Sequence, residues 1–267
     1  MTYHELIRTL VGAGIEDGRE EATRLFIQFG GYSRVSLIGA NPDISTPDFL
    51  AAVGRRLSGE PLAYILGEVG FYNETYLVSP ACLIPRADTE ILVEEAVKRL
   101  PEGAHFADFC TGSGCVAIST LAARTDTKAI AYDISAAALE LAKQNAARNG
   151  VSDRIMFVGC DLLSDTAEGS FDAILSNPPY IPSDVVPTLS KEVGHEPKIA
   201  LDGGADGMDF YRHIVENYPV PLILFEIGYD QEAAIIALGE AHGYKTSVRR
   251  DYGGNPRCAI LEKASNQ

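Results

Sequence analysis

The chain has 267 residues, 46% of them hydrophobic and 22% charged, which excludes a largely disordered protein and leaves room for one large domain or a main domain with a companion. Its 22 basic and 37 acidic residues give a formal net charge of −15, and basic residues never cluster beyond pairs such as Arg55-Arg56, so stable nucleic-acid binding is not expected. No apolar run approaches a membrane helix, MTYHELIRTL is too polar for a secretory signal, and the five cysteines follow no disulfide or zinc pattern, so a cytoplasmic, metal-free protein is expected.

Residues 1–70 show helical spacing. Leu6, Leu10 with Val11, and Ile15 recur at helical intervals, as do Leu25, Phe26 and Phe29. Thr46 as N-cap and Pro47 at the first helical position open a third helix, with Phe49, Leu50, Val53 and Leu57 assigned to one face. The expectation is a small helical bundle, either a solvated cap or a platform for docking a partner. Residues 71–85, within FYNETYLVSPACLIPR, read as a β-hairpin linker.

From residue 86 to 267 helices and strands alternate. A helix from about Asp88 to Leu100 precedes strand HFADF, helix CVAISTLAA, strand KAIAYD, helix SAAALELAKQNAARNG, and strands RIMFVG and FDAIL. A helix near Met208 to Glu216, strand LILFEIG and helix QEAAIIALGEAHG follow, then strands KTSVRRD and CAILEK around a short turn. This pattern predicts an α/β domain with a mostly parallel seven-stranded sheet covered on both faces, ending in an antiparallel hairpin.

In such sheets ligands bind beyond the carboxyl ends of the strands. The first strand runs into DFCTGSGCVA, where Gly112 and Gly114 permit a tight turn and close backbone approach before a helix. Asp133 ends the second strand and can accept from both hydroxyls of a ribose; helix capping is its plainer role, though Ser135 can do that equally well. Asp161 ends the third and can accept from an adenine amino group with Leu162 against the ring, or simply form a turn. A ribose-and-adenine cofactor follows, and a dinucleotide fits the glycine spacing too.

The fourth strand stops at Ser176-Asn177-Pro178-Pro179-Tyr180. The prolines break the ladder and hold Asn177 extended, leaving the Asn177 side-chain oxygen and the Pro178 carbonyl as acceptors, with the Tyr180 ring as a flat apolar face. Two fixed acceptors can orient a planar NH2 group. They supply neither the hydride chemistry nor the acid or base of a nicotinamide enzyme. In-line methyl transfer from a sulfonium to an amino or amide nitrogen fits better, with orientation contributing up to roughly 7 to 11 kcal/mol. A methyltransferase acting on an exocyclic amine of a nucleic-acid base is the alternative, because a flipped base would stack on Tyr180 by the same physics.

DxxTGSG, Asp133, Asp161 and NPPY, in that order, resemble a class I, Rossmann-like methyltransferase that uses S-adenosylmethionine. With GEVGFYN, LIPRADTE, NPPYIP, HEPKIALDGGADG and FEIGYDQ, nearly the whole chain resembles the HemK/PrmC family, which methylates the glutamine side-chain amide in the Gly-Gly-Gln motif of peptide chain release factors. The resemblance implies cofactor contacts from Cys110, Thr111, Gly112, Ser113, Gly114, Asp133, Asp161, Leu162 and Asn177. It places the substrate glutamine on Asn177, Pro178, Pro179 and Tyr180, with Phe71 completing the pocket. Asn177, Pro178 and Tyr180 would do the catalytic work, and Arg86, Thr89 and Glu90 would line the cofactor from the linker side. A monomer is expected. Two positions depart from the family pattern: Cys110 stands where glycine is commoner, and Ala87 replaces proline.

Overall fold

Helix signals at the start of the chain are realised as hydrogen bonds. In the computed structural model, which describes residues 1–263, the Thr2 hydroxyl accepts from the Glu5 N–H at 3.3 Å while the Thr2 N–H donates to the Glu5 carboxylate at 2.8 Å, opening α1 (Tyr3–Gly12). After α2 (Gly18–Gly30), the Thr46 hydroxyl accepts from the Phe49 N–H at 3.4 Å and opens α3 (Pro47–Leu57). A short α4 (Leu62–Leu66) follows. These helices bury Leu6, Leu10, Leu25, Phe26, Phe49 and Val53 in a core of their own.

The inner face of α3 differs from the one its spacing suggests. Leu50 and Leu57 are 45% and 42% exposed, whereas Arg56 is buried and pairs with Glu21 at 2.6 Å and Glu192 at 3.1 Å. A helix face selects its inner residues by partner as well as by polarity, and here a buried cation has two carboxylates. The compact unit accordingly comprises Met1–Gly67 together with Ser190–His195.

The second unit starts at Glu68 and contains the sheet. Its first hairpin pairs β1 (Glu68–Phe71) with β2 (Glu74–Leu77), so residues 78–85, expected as part of the linker hairpin, carry no strand. The hairpin belongs to this unit because Tyr76 is fully buried against it, its hydroxyl 2.6 Å from that of Ser119.

The remaining elements run α5 (Glu90–Arg99), β3 (His105–Phe109), α6 (Cys115–Ala123), β4 (Lys128–Asp133), α7 (Ala136–Arg148), β5 (Ile155–Gly159) and β6 (Ala173–Ser176). Then come α8 (Asp209–Asn217), β7 (Leu222–Glu226), α9 (Glu232–Ala241), β8 (Tyr244–Arg250) and β9 (Pro256–Lys263). The seven strands lie in the order β5-β4-β3-β6-β7-β9-β8. Strands β5 to β7 in that order are mutually parallel, and β9 runs antiparallel to both β7 and β8.

Alternation along the central strands sends Phe106, Ala173, Leu175, Leu222 and Leu224 into one core and Ala107, Phe109, Ile174, Ile223 and Phe225 into the other. Apolar residues of α5 and α6 join the first core, and those of α8 and α9 the second. Burial on both faces explains why these strands read as continuous apolar runs. Chain order reverses between β3 and β6, so the tips of those two strands mark the topological switch point.

Candidate functional site

The loop leaving β3 turns through three left-handed residues: Cys110 at φ 60°, Gly112 at 55° and Gly114 at 82°. At Gly114 a Cβ would stand 2.8 Å from the Ile118 side chain and 3.2 Å from that of Ala142, so this glycine lets α6 begin against α7. Beneath the loop, Asp108 accepts from the Thr111 hydroxyl at 2.6 Å and the Ala117 N–H at 3.3 Å. Burial pushes the Asp108 carboxyl up to about 7, and those two hydrogen bonds pull the other way.

Asp133, the last residue of β4, braces the same loop. One carboxylate oxygen accepts from the Gly112 N–H and the other from the Ser135 N–H, each at 2.8 Å, while burial raises its pKa against these bonds. The capping of α7 falls to Ser135, whose hydroxyl accepts from the Ala138 N–H at 3.2 Å. Asp161 is a turn former, accepting from the Leu163 N–H at 3.2 Å and the Ser164 hydroxyl at 2.9 Å. Asn145 went unnoticed in the sequence, yet its amide bonds both the Leu77 N–H and C=O and the Ser113 C=O, tying hairpin to loop.

These elements surround a cavity of about 430 Å³. Its wall includes Cys110, Thr111, Gly112, Ser113, Asp133, Asp161, Leu162, Asn177 and Pro179, together with Arg86 and Thr89. Five expected residues are not part of that wall. Gly114 faces Ile118 and Ala142 instead. Phe71 is 2% exposed and packs edge-on against Tyr76 in the core. Glu90 accepts from the Tyr72 N–H at 2.8 Å. Pro178 is buried, and Tyr180 directs its hydroxyl to Glu226 at 3.4 Å.

Two further carboxylates matter. Glu196, from the HEPKIALDGGADG stretch, pairs with Arg86 and accepts from the Ile84 N–H at 2.9 Å, joining two segments that line the cavity. Glu226 ends β7. An acid at the end of the otherwise apolar run LILFEIG was the available signal for it. Even without Asp108, the carboxylates of Asp133, Asp161 and Asp202 outnumber the wall's cations, Arg86 and Lys198, and Arg86 is already paired. Apolar surface comes from Leu83, Ile84, Ile134, Leu162 and Ile199. Among the described residues no cluster of three His, Cys, Asp or Glu side chains is placed to hold a metal ion.

Strand order, antiparallel last hairpin, glycine loop and acid-tipped strands together define a Rossmann-like methyltransferase domain joined to a helical N-terminal unit. Residues 87–196 match the methyltransferase small domain family, and residues 2–67 match the PrmC N-terminal domain. A release factor glutamine methyltransferase of Moorella thermoacetica is 38% identical over 96% of this chain and 95% of its own. One of Geobacter sulfurreducens is 37% identical over 88% and 86%, respectively. The chain belongs to the release factor glutamine methyltransferase family. Among solved structures, the hMettl16 catalytic domain in complex with a MAT2A 3'UTR hairpin superposes with a TM-score of 0.60 over 91% of each chain at 15% identity, a likeness of fold alone. No helix among the described residues is long and apolar enough to cross a membrane.

Proposed function

We propose that this protein, acting as a cytoplasmic monomer, methylates the side-chain amide nitrogen of the glutamine in the Gly-Gly-Gln motif of peptide chain release factors, with S-adenosylmethionine as methyl donor. The observation that carries the reading is a carboxylate-rich, partly apolar cavity meeting the NPPY tip of β6 at the switch point of the sheet. Asp133 and Asp161 are acceptors suited to hydroxyl and amino groups, and the apolar wall suits an adenine. The excess of negative charge also favours a cationic ligand over the pyrophosphate of a dinucleotide, which would meet acids where it needs donors. When bound, S-adenosylmethionine supplies a methyl group on a positively charged sulfur.

The protein's own part is orientation. Asn177 donates its amide N–H to the Thr89 hydroxyl at 3.3 Å, which turns its carbonyl oxygen away from Thr89. That oxygen and the Pro178 carbonyl can hold both N–H donors of a carboxamide, restraining the nitrogen and favouring its lone pair. The Tyr180 ring, partly buried against the second core, is assigned to the face of the flat amide. The helical unit is assigned the docking of the release factor. Incubation with labelled methyl donor and an unmethylated release factor, followed by peptide mass mapping, should place one methyl group on the motif's glutamine. Label on RNA or DNA instead would overturn the reading.

A further inference from the structure

Glu226 is a buried carboxylate that the orientation mechanism above does not use. Its Oε1 receives the Tyr180 hydroxyl at 3.4 Å, while Oε2 has no hydrogen-bond partner among the described residues, nor has the buried Nε of Arg257. Register explains its position: Ser176 is paired with Phe225, so the next residues along the two parallel strands, Asn177 and Glu226, emerge side by side at the sheet edge. Thr89, 2% exposed at the start of α5, lies close to both. Its hydroxyl accepts from the Asn177 amide and favours the ionised form of Glu226.

We propose that Glu226 is a positioning residue which, through the hydroxyl of Thr89, sets the direction in which the Asn177 amide points. The inference rests on the reading of Asn177 as the acceptor for the substrate amide. An ionised carboxylate is only an acceptor, so the hydroxyls facing it turn their protons toward it. The Thr89 oxygen then presents lone pairs to Asn177, which must answer with its NH2 and leave its carbonyl oxygen for the substrate. A protonated Glu226 donates instead, Thr89 is released to donate to Asn177, and the amide gains reason to flip. The flipped amide presents donors to a substrate that also brings donors.

Burial pushes the Glu226 carboxyl up to about 7 despite the opposing influence of Thr89, Arg257 and Tyr180, and Asp88 pushes the same way as burial. Arg257 is shared with Asp88 at 3.3 Å and Asp251 at 3.2 Å, so it does not belong to Glu226 alone. From α8 the Tyr211 hydroxyl donates to the Glu226 backbone carbonyl at 2.8 Å. The buried thiols of Cys115 and Cys258, on α6 and β9, feel the Glu226 charge. The titrating switch is therefore centred on the carboxylate and its two hydroxyl neighbours.

The test combines kinetics with a reading that needs no turnover. The side-chain NH2 resonances of Asn177, identified by their loss in Asn177→Ala, should titrate in the wild-type protein near neutral pH and stop titrating in Glu226→Gln. Methyl transfer to a release factor should rise with pH through neutrality in the wild type. In Glu226→Gln it should be flat and about tenfold or more lower at high pH, with S-adenosylmethionine affinity within about twofold. Thr89→Val should show the same flat pH profile and loss of the Asn177 titration, and Thr89→Ser should recover most of the loss. If Glu226→Gln keeps the wild-type titration and pH profile, or merely melts earlier, the inference is overturned. If the wild type methylates no release factor while the resonances behave as stated, the proposed function fails and the positioning role stands.

Discussion

Asn177 is where a single side chain carries the most. Because its oxygen is assigned to the substrate, and the ribose and adenine of the cofactor are assigned to Asp133 and Asp161, Asn177→Ala should lower methyl transfer roughly a hundred- to thousandfold. Cofactor affinity, measured by calorimetry, should change little, and loss of that affinity with turnover intact at saturation would contradict the assignment. Cys110 is a different case. It adopts φ 60° in the loop after β3, a conformation that costs an L-residue about 1–2 kcal/mol. Cys110→Gly relieves that strain but frees the unfolded chain, so stability should shift by less than about 1 kcal/mol, whereas the β-branched Cys110→Val should lose about 2 kcal/mol in urea titrations. Burial raises the Cys110 thiol well above its ordinary value, which makes the residue a packing element rather than a nucleophile.

At the scale of elements, contacts that hold helices to their neighbours decide the outcome. In the first unit, Arg56 and Glu21 have side chains only 6% and 13% exposed. Removing one partner of such a pair leaves a charge with no answer, so Arg56→Ala should cost about 3–5 kcal/mol by calorimetry. Replacing both residues together, as Arg56→Met with Glu21→Leu, should recover most of that loss. In the second unit, Gly114 starts α6 with a left-handed φ and no room toward Ile118 or Ala142. Gly114→Ala should therefore destabilise by about 2 kcal/mol and weaken cofactor binding, since the displaced loop carries Gly112 and its bond to Asp133.

For the whole molecule, charge sets the response to solution conditions. Asp108 and Glu226 both hold their protons up to about 7, above the ordinary carboxyl values of 3.8 and 4.5. Between those values and 7 the folded state binds more protons than the unfolded chain, so their contribution to stability falls as pH rises through this window and levels off above it. The urea midpoint should accordingly drop from mildly acidic to mildly alkaline solution. A formal net charge of −15 acts in the same direction, but its part is screened by salt and that of the buried acids is not. Salt should lift the alkaline limb only partly. Asp108→Asn should make what remains shallower while Glu226 keeps its share, and an unchanged slope in that variant would remove Asp108 from the account.

The sequence by itself determined the α/β class, the alternation of helices and strands, the order of the glycine loop and the strand-end acids, and the place of NPPY. Those features are local: they depend on period, caps and breakers within a few residues, as HFADF and Thr46 illustrate. Tertiary structure alone decided which residues meet. It buried Arg56 and exposed Leu50, because ion pairing across helices has no signature in spacing. It removed Phe71 and Gly114 from the cavity wall, joined Glu196 to Arg86, and set Glu226 beside Asn177 through a register between strands some fifty residues apart. Partners so distant along the chain are selected by packing, and a one-dimensional pattern carries the residues of a site without the contacts that orient them.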